Sequence, residues 1–165
     1  MAGFDIDDLR RDGLSTTARD AMLDLILAWA HLDGALSMLV AIKFGLEPTK
    51  AALLLGRANG SDKLKHLQTV FKFEGDEKSA AQMKSLRKAY DNNVAPRNLV
   101  AHASCRGYLS SDPQMIVFAK FEAVDHDQMA IYLQPIGVMQ QSTTWANKCA
   151  GVIETLTNLY DTKPA

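Results

Sequence analysis

The chain has 165 residues, of which 47% are apolar and 22% charged, a composition that fits one globular domain and excludes an intrinsically disordered chain. Its two cysteines, Cys105 and Cys149, exclude a disulfide framework and have no close Cys or His partners for zinc, so we expect reduced thiols, no metal and no cofactor. An acidic N-terminus without a following apolar stretch excludes a signal peptide, and charged residues interrupt the apolar region 21–46, so a cytoplasmic protein without a membrane segment is predicted.

Residues 1–15 are predicted to form a loosely attached arm that ends near Gly13. A long helix follows, capped by Ser15 or Thr16 and ended by Gly45 and Pro48. Its apolar residues recur at helical spacing, and a second apolar stripe runs beside the first, formed by Leu23, Leu27, Ala30 and Met38. Because most of its circumference is apolar, we expect this helix to be the most buried element. Trp29 on this helix and Trp145 near the C-terminus are both predicted to be largely buried.

Further helices are predicted along the rest of the chain, at 49–55, over Leu64 to Phe71 after a cap at Ser61 or Asp62, at 77–92, at 97–103 behind Pro96, and at 138–160. Between the last two helices the pattern changes, with two runs rich in Ile, Val, Phe, Tyr and Met at 114–122 and 128–134 on either side of a turn at 124–127. Residues 114–134 are therefore predicted to form a β-hairpin insertion. The predicted fold is therefore mainly α, an up-and-down helical bundle in a single domain, 1–165. A central sheet of four or more strands would contradict it.

Positive charge is concentrated in the middle of the chain. Residues 61–106 contain nine basic and five acidic residues, whereas the segments on either side are both net acidic. This distribution suits an anionic partner such as RNA, although solvated Lys and Arg on helix faces would give the same pattern. The basic residues that we predict to bind RNA are Lys84, Arg87, Lys88 and Arg106.

The stretch from Arg97 to His102 is the strongest candidate for chemistry. Arg97 and His102 are separated by four residues, and Asn98 follows the arginine directly. Even if four to six residues are allowed between the arginine and the histidine, a chain of this composition contains this pattern by chance only about 0.02 times. A histidine can remove or supply a proton near neutral pH, and an arginine can bind phosphate oxygens as negative charge builds on them. The residues are thus suited to cleaving RNA without a metal.

This motif, opening the penultimate helix of a helical chain, resembles the HEPN superfamily, in which many members are ribonucleases of bacterial defence and toxin–antitoxin systems. The resemblance covers about Thr17–Ala103 and the last helix. It implies a homodimer with catalytic Arg97, Asn98 and His102 at the subunit interface. It also implies a metal-independent endoribonuclease that acts on single-stranded RNA, with an antitoxin or defence-system protein among its partners. Members controlled by tyrosine modification carry a Tyr two residues after the His, but this chain has Ser104 there.

Several alternatives stay open. Arg97 could bind a carboxylate while His102 packs or caps a helix. A HEPN-like domain could also bind RNA, a nucleotide or a partner protein without cleaving anything, and a plain helical scaffold would need no site at all. Outside the motif, His31 and Asp33 are interpreted as a buried polar pair, and His126 between two aspartates as a solvated turn residue.

Overall fold

The computed structural model describes residues 6–121 and 129–161, without the side chains of residues 121 and 129. The chain is mainly helical, with a small antiparallel sheet. After a 3₁₀ turn at Ile6–Asp8, the elements are β1 (Leu9–Arg10), α1 (Thr16–Lys43), α2 (Pro48–Leu55), α3 (Gly60–Phe73), α4 (Glu77–Asn93), α5 (Ala95–His102), β2 (Ser104–Leu109), β3 (Met115–Phe121), β4 (Met129–Pro135) and α6 (Ile136–Asp161).

Local capping explains where several helices begin. The Ser15 hydroxyl accepts a hydrogen bond from the Ala18 amide, as expected for the start of α1. For α3 the predicted caps Ser61 and Asp62 are wrong, because the helix begins earlier. The Asn59 side chain accepts from the Asp62 amide and caps it. Proline occupies the first turn of both α2 and α5, where its missing N–H removes no helical hydrogen bond.

The chain divides into two compact units. The sheet unit comprises Met1–Leu27 and Val94–Thr144, and the helical unit comprises Ala28–Asn93 and Trp145–Ala165. Both long helices, α1 and α6, contribute residues to each unit. A single domain over 1–165 stays a prediction, and the two units are described separately below.

In the sheet unit, the predicted hairpin is part of a larger sheet. β3 and β4 pair in antiparallel register from Met115↔Pro135 to Phe121↔Met129, which confirms the pairing; the predicted hairpin tip around His126 lies outside the described residues. However, β2 and β1 extend the sheet to four strands in the order β1-β2-β3-β4. The sheet thus has the four strands that were stated above to contradict the prediction, so the expectation of no more than a hairpin was wrong, whereas the mainly α class is confirmed. β2 contains Gly107 and several polar residues, and its strand character comes from pairing with β3.

The N-terminal arm is attached to the sheet through Asp8, Leu9 and Arg10, contrary to the prediction, while residues 1–5 of the predicted arm lie outside the described residues. Leu9 and Arg10 pair with Leu109 and Tyr108 on the edge of β2. The Asp8 carboxylate accepts hydrogen bonds from the side chains of Ser110 and Ser111 and from the Ser111 amide. These contacts lie about a hundred residues apart in sequence, so the local pattern could not reveal them.

The core of the sheet unit is built around β3, a central strand that pairs with a neighbouring strand on each side. Ile116, Val117, Phe118 and Ala119 are all buried, although successive strand residues point to opposite faces. Both faces of β3 are therefore covered, as an unbroken apolar run indicates. The unit also buries residues from both long helices, Ala18, Ala21 and Leu25 of α1 with Ile136 and Met139 of α6.

The helical unit is packed around aromatic rings and a helical stripe of α1. Trp29 is 3% exposed and its ring centroid lies 5.0 Å from Tyr90 and 5.4 Å from Trp145. Trp29 is buried as predicted, whereas Trp145 is only partly buried. α3 begins close to α4, because a Cβ atom on Gly60 would lie 2.4 Å from the Tyr90 ring. The buried residues of α1 in this unit recur every three or four positions, at Ala28, Trp29, Leu32, Ala35, Leu36, Leu39 and Val40.

We expected α1 to be the most buried element because two apolar stripes run along it, but only one face of the helix is buried. Leu23, Leu27 and Met38 of the second stripe are each 57% exposed, and Ala30 is also exposed. By length and composition alone α1 could cross a membrane, and 44% of its apolar window is buried in the protein. A core helix of a soluble protein passes the same criterion.

Candidate functional site

The candidate motif lies on α5, a helix of eight residues between α4 and β2. Pro96 in its first turn is buried and anchors the helix, and Leu99 and Val100 are partly buried. At the other end Ala103 is extended, with φ −105° and ψ 156°, so the chain passes directly from α5 into β2. α5 also contacts β3, the central strand. The motif is thus held on a short helix against the sheet.

Arg97 is partly exposed, and its guanidinium points toward its neighbour. Nη1 of Arg97 donates a hydrogen bond of 3.1 Å to Oδ1 of Asn98, whose side chain is exposed. Within residues 6–121 and 129–161, no carboxylate forms an ion pair with Arg97. The guanidinium therefore keeps donors available for an anion, with Asn98 limiting its orientation.

His102 is the last residue of α5, and its side chain is exposed. Over the described part of the chain, its imidazole makes no hydrogen bond or ion pair. The alternative in which His102 packs in the core does not hold for this structure. An exposed imidazole can reach a proton on a bound ligand directly or through one water.

Arg97 and His102 of one chain face different directions. α5 is an unbroken helix, in which residues five apart lie about 7.5 Å apart along the axis and about 140° apart around it. The two side chains of one chain therefore lie on the same short helix but do not both point toward one ligand atom.

The predicted RNA-binding residues divide into two groups. Lys84, Arg87 and Lys88 lie within about one helical turn of α4, in the helical unit. They line one open concavity of about 460 Å³ together with Ala81, Ser85 and Asp91. We call this concavity the α4 groove. Arg106 lies on β2 in the sheet unit, where it lines a different pocket together with Arg11. Sequence reasoning missed Arg11, which it placed in a loose arm.

The other histidine candidate is corrected by the structure, because His31 and Asp33 are not a pair. His31 is exposed and its Nε2 lies 2.7 Å from Glu154 Oε1. Asp33 instead accepts a hydrogen bond of 2.6 Å from the buried Lys63 ammonium. His126 lies outside the described residues. Over the residues that the structure describes, no three His, Cys, Asp or Glu side chains cluster as metal ligands do.

The two thiols differ in their exposure to solvent. Cys105 on β2 is exposed, whereas Cys149 on α6 is buried. Burial raises the pKa of Cys149 to about 11, since the low dielectric disfavours the thiolate. Cys149 is therefore an inert core residue at neutral pH, while Cys105 is open to solvent.

Comparisons with known proteins find no family model, curated protein or solved structure that matches this chain. The resemblance to the HEPN superfamily consequently rests on Arg97, Asn98 and His102 and on the mainly helical chain that carries them.

Proposed function

We propose that this protein is a metal-independent endoribonuclease of HEPN type, cleaving single-stranded RNA with Arg97, Asn98 and His102. One observation carries the proposal. The exposed imidazole of His102 and the guanidinium of Arg97, which has no carboxylate partner among residues 6–121 and 129–161, lie on the same short helix, with the R-x4-H spacing on which the resemblance rests. The proposed setting is a bacterial cytoplasm, in a defence or toxin–antitoxin system.

The proposed reaction uses the ribose as its nucleophile. Neutral His102 removes the proton of a 2′-OH, and the resulting oxygen forms a bond to the adjacent phosphorus. The bond from phosphorus to the 5′-oxygen of the next nucleotide breaks, and a protonated imidazole gives that oxygen its proton. The products are a 2′,3′-cyclic phosphate and a free 5′-OH. Arg97 stabilises the charge on the phosphorane-like transition state, and Asn98 orients the guanidinium.

The site is proposed to form between two copies of the chain. A twofold axis beside α5 would supply two arginines and two histidines, one imidazole acting as base and the other as acid. In support, the sheet unit exposes several large apolar side chains that a partner copy could cover: Leu23, Leu27, Ile131, Leu133 and Val138.

The test is cleavage of a mixed RNA pool by purified protein. We expect cleavage to persist in EDTA, to stop when the 2′-OH at the cut site is replaced by hydrogen, and to leave a 2′,3′-cyclic phosphate or its hydrolysis product. His102→Ala and Arg97→Ala should each slow it by about 10²-fold or more, because acid–base groups contribute that much. His66→Ala is the matched control, since His66 is also exposed but lies on α3 in the helical unit.

Two results would contradict this mechanism. Cleavage that EDTA abolishes would require a metal, and a His102→Ala protein as fast as wild type would remove the proposed base. If wild type binds RNA but cuts none of the pool, the protein is instead a binding module, for which the basic α4 groove supplies the contact surface.

A further inference from the structure

An apolar groove lies in the helical unit, between the C-terminal half of α1 and α2. It has a volume of about 450 Å³ and is lined by residues between positions 34 and 46 on one wall and between 48 and 56 on the other. We call it the α1–α2 groove. This volume lies within the range of small-molecule sites, which are mostly apolar and often lie between helices.

The walls of the groove offer little to a polar ligand. Among the described residues that line it, none is charged, and Ser37 is the one with a polar side chain. The Ser37 hydroxyl already donates a 2.9 Å hydrogen bond to the Asp33 carbonyl oxygen. The backbone carbonyls of Val40, Ala41 and Ile42 near the end of α1 likewise accept hydrogen bonds from the amides of the following turn. The groove is therefore suited to an apolar group.

Water is held poorly in such a groove. The volume equals that of about fifteen water molecules at about 30 Å³ each, and an ordered water needs two to four polar partners. Because the walls supply few such partners, an apolar group that displaces this water gains free energy. Met38, which is 57% exposed, lines the groove with a flexible side chain that can adapt to the shape of a ligand.

The shape of the groove favours a chain over a ring system. From Gly34 to Ile42 the groove follows α1 for about 12 Å, at about 1.5 Å per residue. A volume of about 450 Å³ spread over that length gives a mean width of about 6 Å, close to the width of one hydrocarbon chain. With C–C bonds of about 1.5 Å, an extended chain of roughly ten carbons spans this length.

We propose that the α1–α2 groove binds the alkyl chain of a free single-chain amphiphile, such as a medium-chain fatty acid. A groove one chain wide would leave the second chain of a diacyl lipid in water, which favours a free amphiphile over a bilayer. Because no charged side chain of the described residues lines the groove, the head group stays in solvent and its charge should matter little. This ligand site does not depend on the proposed function.

The experiment is calorimetric titration of the full chain with straight-chain fatty acids of six to fourteen carbons, below their micelle concentrations. We expect one site per chain and a Kd that falls about threefold for each added CH2, because each CH2 buries further apolar area. The decrease should stop at roughly ten carbons, where the chain fills the groove. Decyltrimethylammonium should bind within about threefold of decanoate, since a head group in solvent is screened.

Filling the groove with a side chain should weaken binding. A Cβ atom on Gly34 would meet nothing within 4 Å, so a leucine fits there and occupies the groove. Gly34→Leu should raise the Kd of decanoate about tenfold or more, since the leucine excludes two or three CH2 groups, and Ala51→Leu on the opposite wall should do the same. The matched control is Gly151→Leu, the same substitution at an exposed α6 position of the same unit with equally open space. Circular dichroism checks that each variant is folded.

Several results would overturn the proposal. A Kd that does not depend on chain length would exclude recognition of the alkyl chain, and binding of decanoate without binding of decyltrimethylammonium would assign recognition to charge. An unchanged Kd in both Gly34→Leu and Ala51→Leu, or an equal increase in Gly151→Leu, would place the ligand outside the groove. Cosedimentation with neutral phosphatidylcholine vesicles without decanoate binding would assign the surface to a bilayer instead.

Discussion

Lys63 is a charged residue in the core of the helical unit. It is 1% exposed, and its ammonium donates a 2.6 Å hydrogen bond to Asp33 on α1. An ammonium group taken out of water needs a paired anion, because burial without one costs several kcal/mol. The Asp33 side chain remains 52% exposed, so the pair keeps contact with solvent on one side.

Removing the carboxylate should therefore destabilise the protein. For Asp33→Ala we expect the free energy of unfolding to fall by about 2–3 kcal/mol, less than for a fully enclosed pair. The measurement is denaturation in urea, followed by circular dichroism. Asp24→Ala is the control, an exposed aspartate of α1 without a described partner, and should change stability by less than about 0.5 kcal/mol. Adding Lys63→Met to Asp33→Ala should restore part of the lost stability, because no buried charge then remains unpaired. Equal stability of the Asp33→Ala and Asp24→Ala variants would contradict the role of Asp33 as the partner of Lys63.

At the scale of elements, two ionised aspartates accept hydrogen bonds that fix the ends of segments. Hydrogen bonds from Ser110 and then Ser111 lower the pKa of Asp8, which ties the segment before β1 to the end of β2. Hydrogen bonds from Ser79 lower the pKa of Asp76, which caps the start of α4. In both cases the folded protein favours the carboxylate over the acid.

Acidification should consequently weaken both attachments. A lowered folded-state pKa contributes stability that is complete above the unfolded value of 3.8 and is lost as pH falls below it. We expect Tm to drop between pH 5 and pH 2.5, and to drop less steeply in the Asp8→Asn, Asp76→Asn double variant. Asp20→Asn, an exposed aspartate of α1, should keep the wild-type slope. A double variant with an unchanged slope would refute this role.

The α4 groove gives a second prediction at this scale. If Lys84 and Lys88 each contact one phosphate of single-stranded RNA, the Lys84→Ala, Lys88→Ala variant should bind RNA more weakly. Its plot of log K against log salt should be flatter by about 1.4, since each lost contact releases about 0.7 fewer ions. Lys65→Ala, Lys72→Ala is the control, with two exposed lysines of α3. Equal slopes in the two variants would show that the groove is not the RNA surface.

For the whole molecule, the number of chains in the assembly decides whether the proposed shared site can form. Light scattering at micromolar concentration should give twice the chain mass of 18.1 kDa. Leu27→Glu should reduce the dimer and the rate of RNA cleavage together while preserving helical content, because Leu27 is 57% exposed and its loss leaves no cavity in the core. Leu53→Glu is the control, because Leu53 is 78% exposed but lies in the helical unit, and it should change neither the amount of dimer nor the rate of RNA cleavage. A monomeric wild type that cleaves RNA at full rate would refute the shared site.

Local sequence was sufficient for the helices and for the grouping on α4. Helical periodicity, caps and Gly or Pro at the ends depend on residues within a few positions, so α1 to α6 begin and end within a few residues of their predicted bounds. Lys84, Arg87 and Lys88 share one surface for the same reason, because residues three and four apart on a helix are neighbours. The position of the motif on a short helix behind Pro96 was predicted in the same way.

Tertiary structure decided what depends on distant parts of the chain. Whether a short polar segment is a strand depends on its pairing partner, so β1 and β2 emerge only from Leu9↔Leu109 and Ser104↔Ala119. An apolar side chain is buried only if another element covers it, which α1 shows by exposing Leu23 and Leu27. The pocket that Arg11 and Arg106 line likewise forms because two segments distant in sequence meet, and a repeating pattern in the sequence cannot predict such a contact.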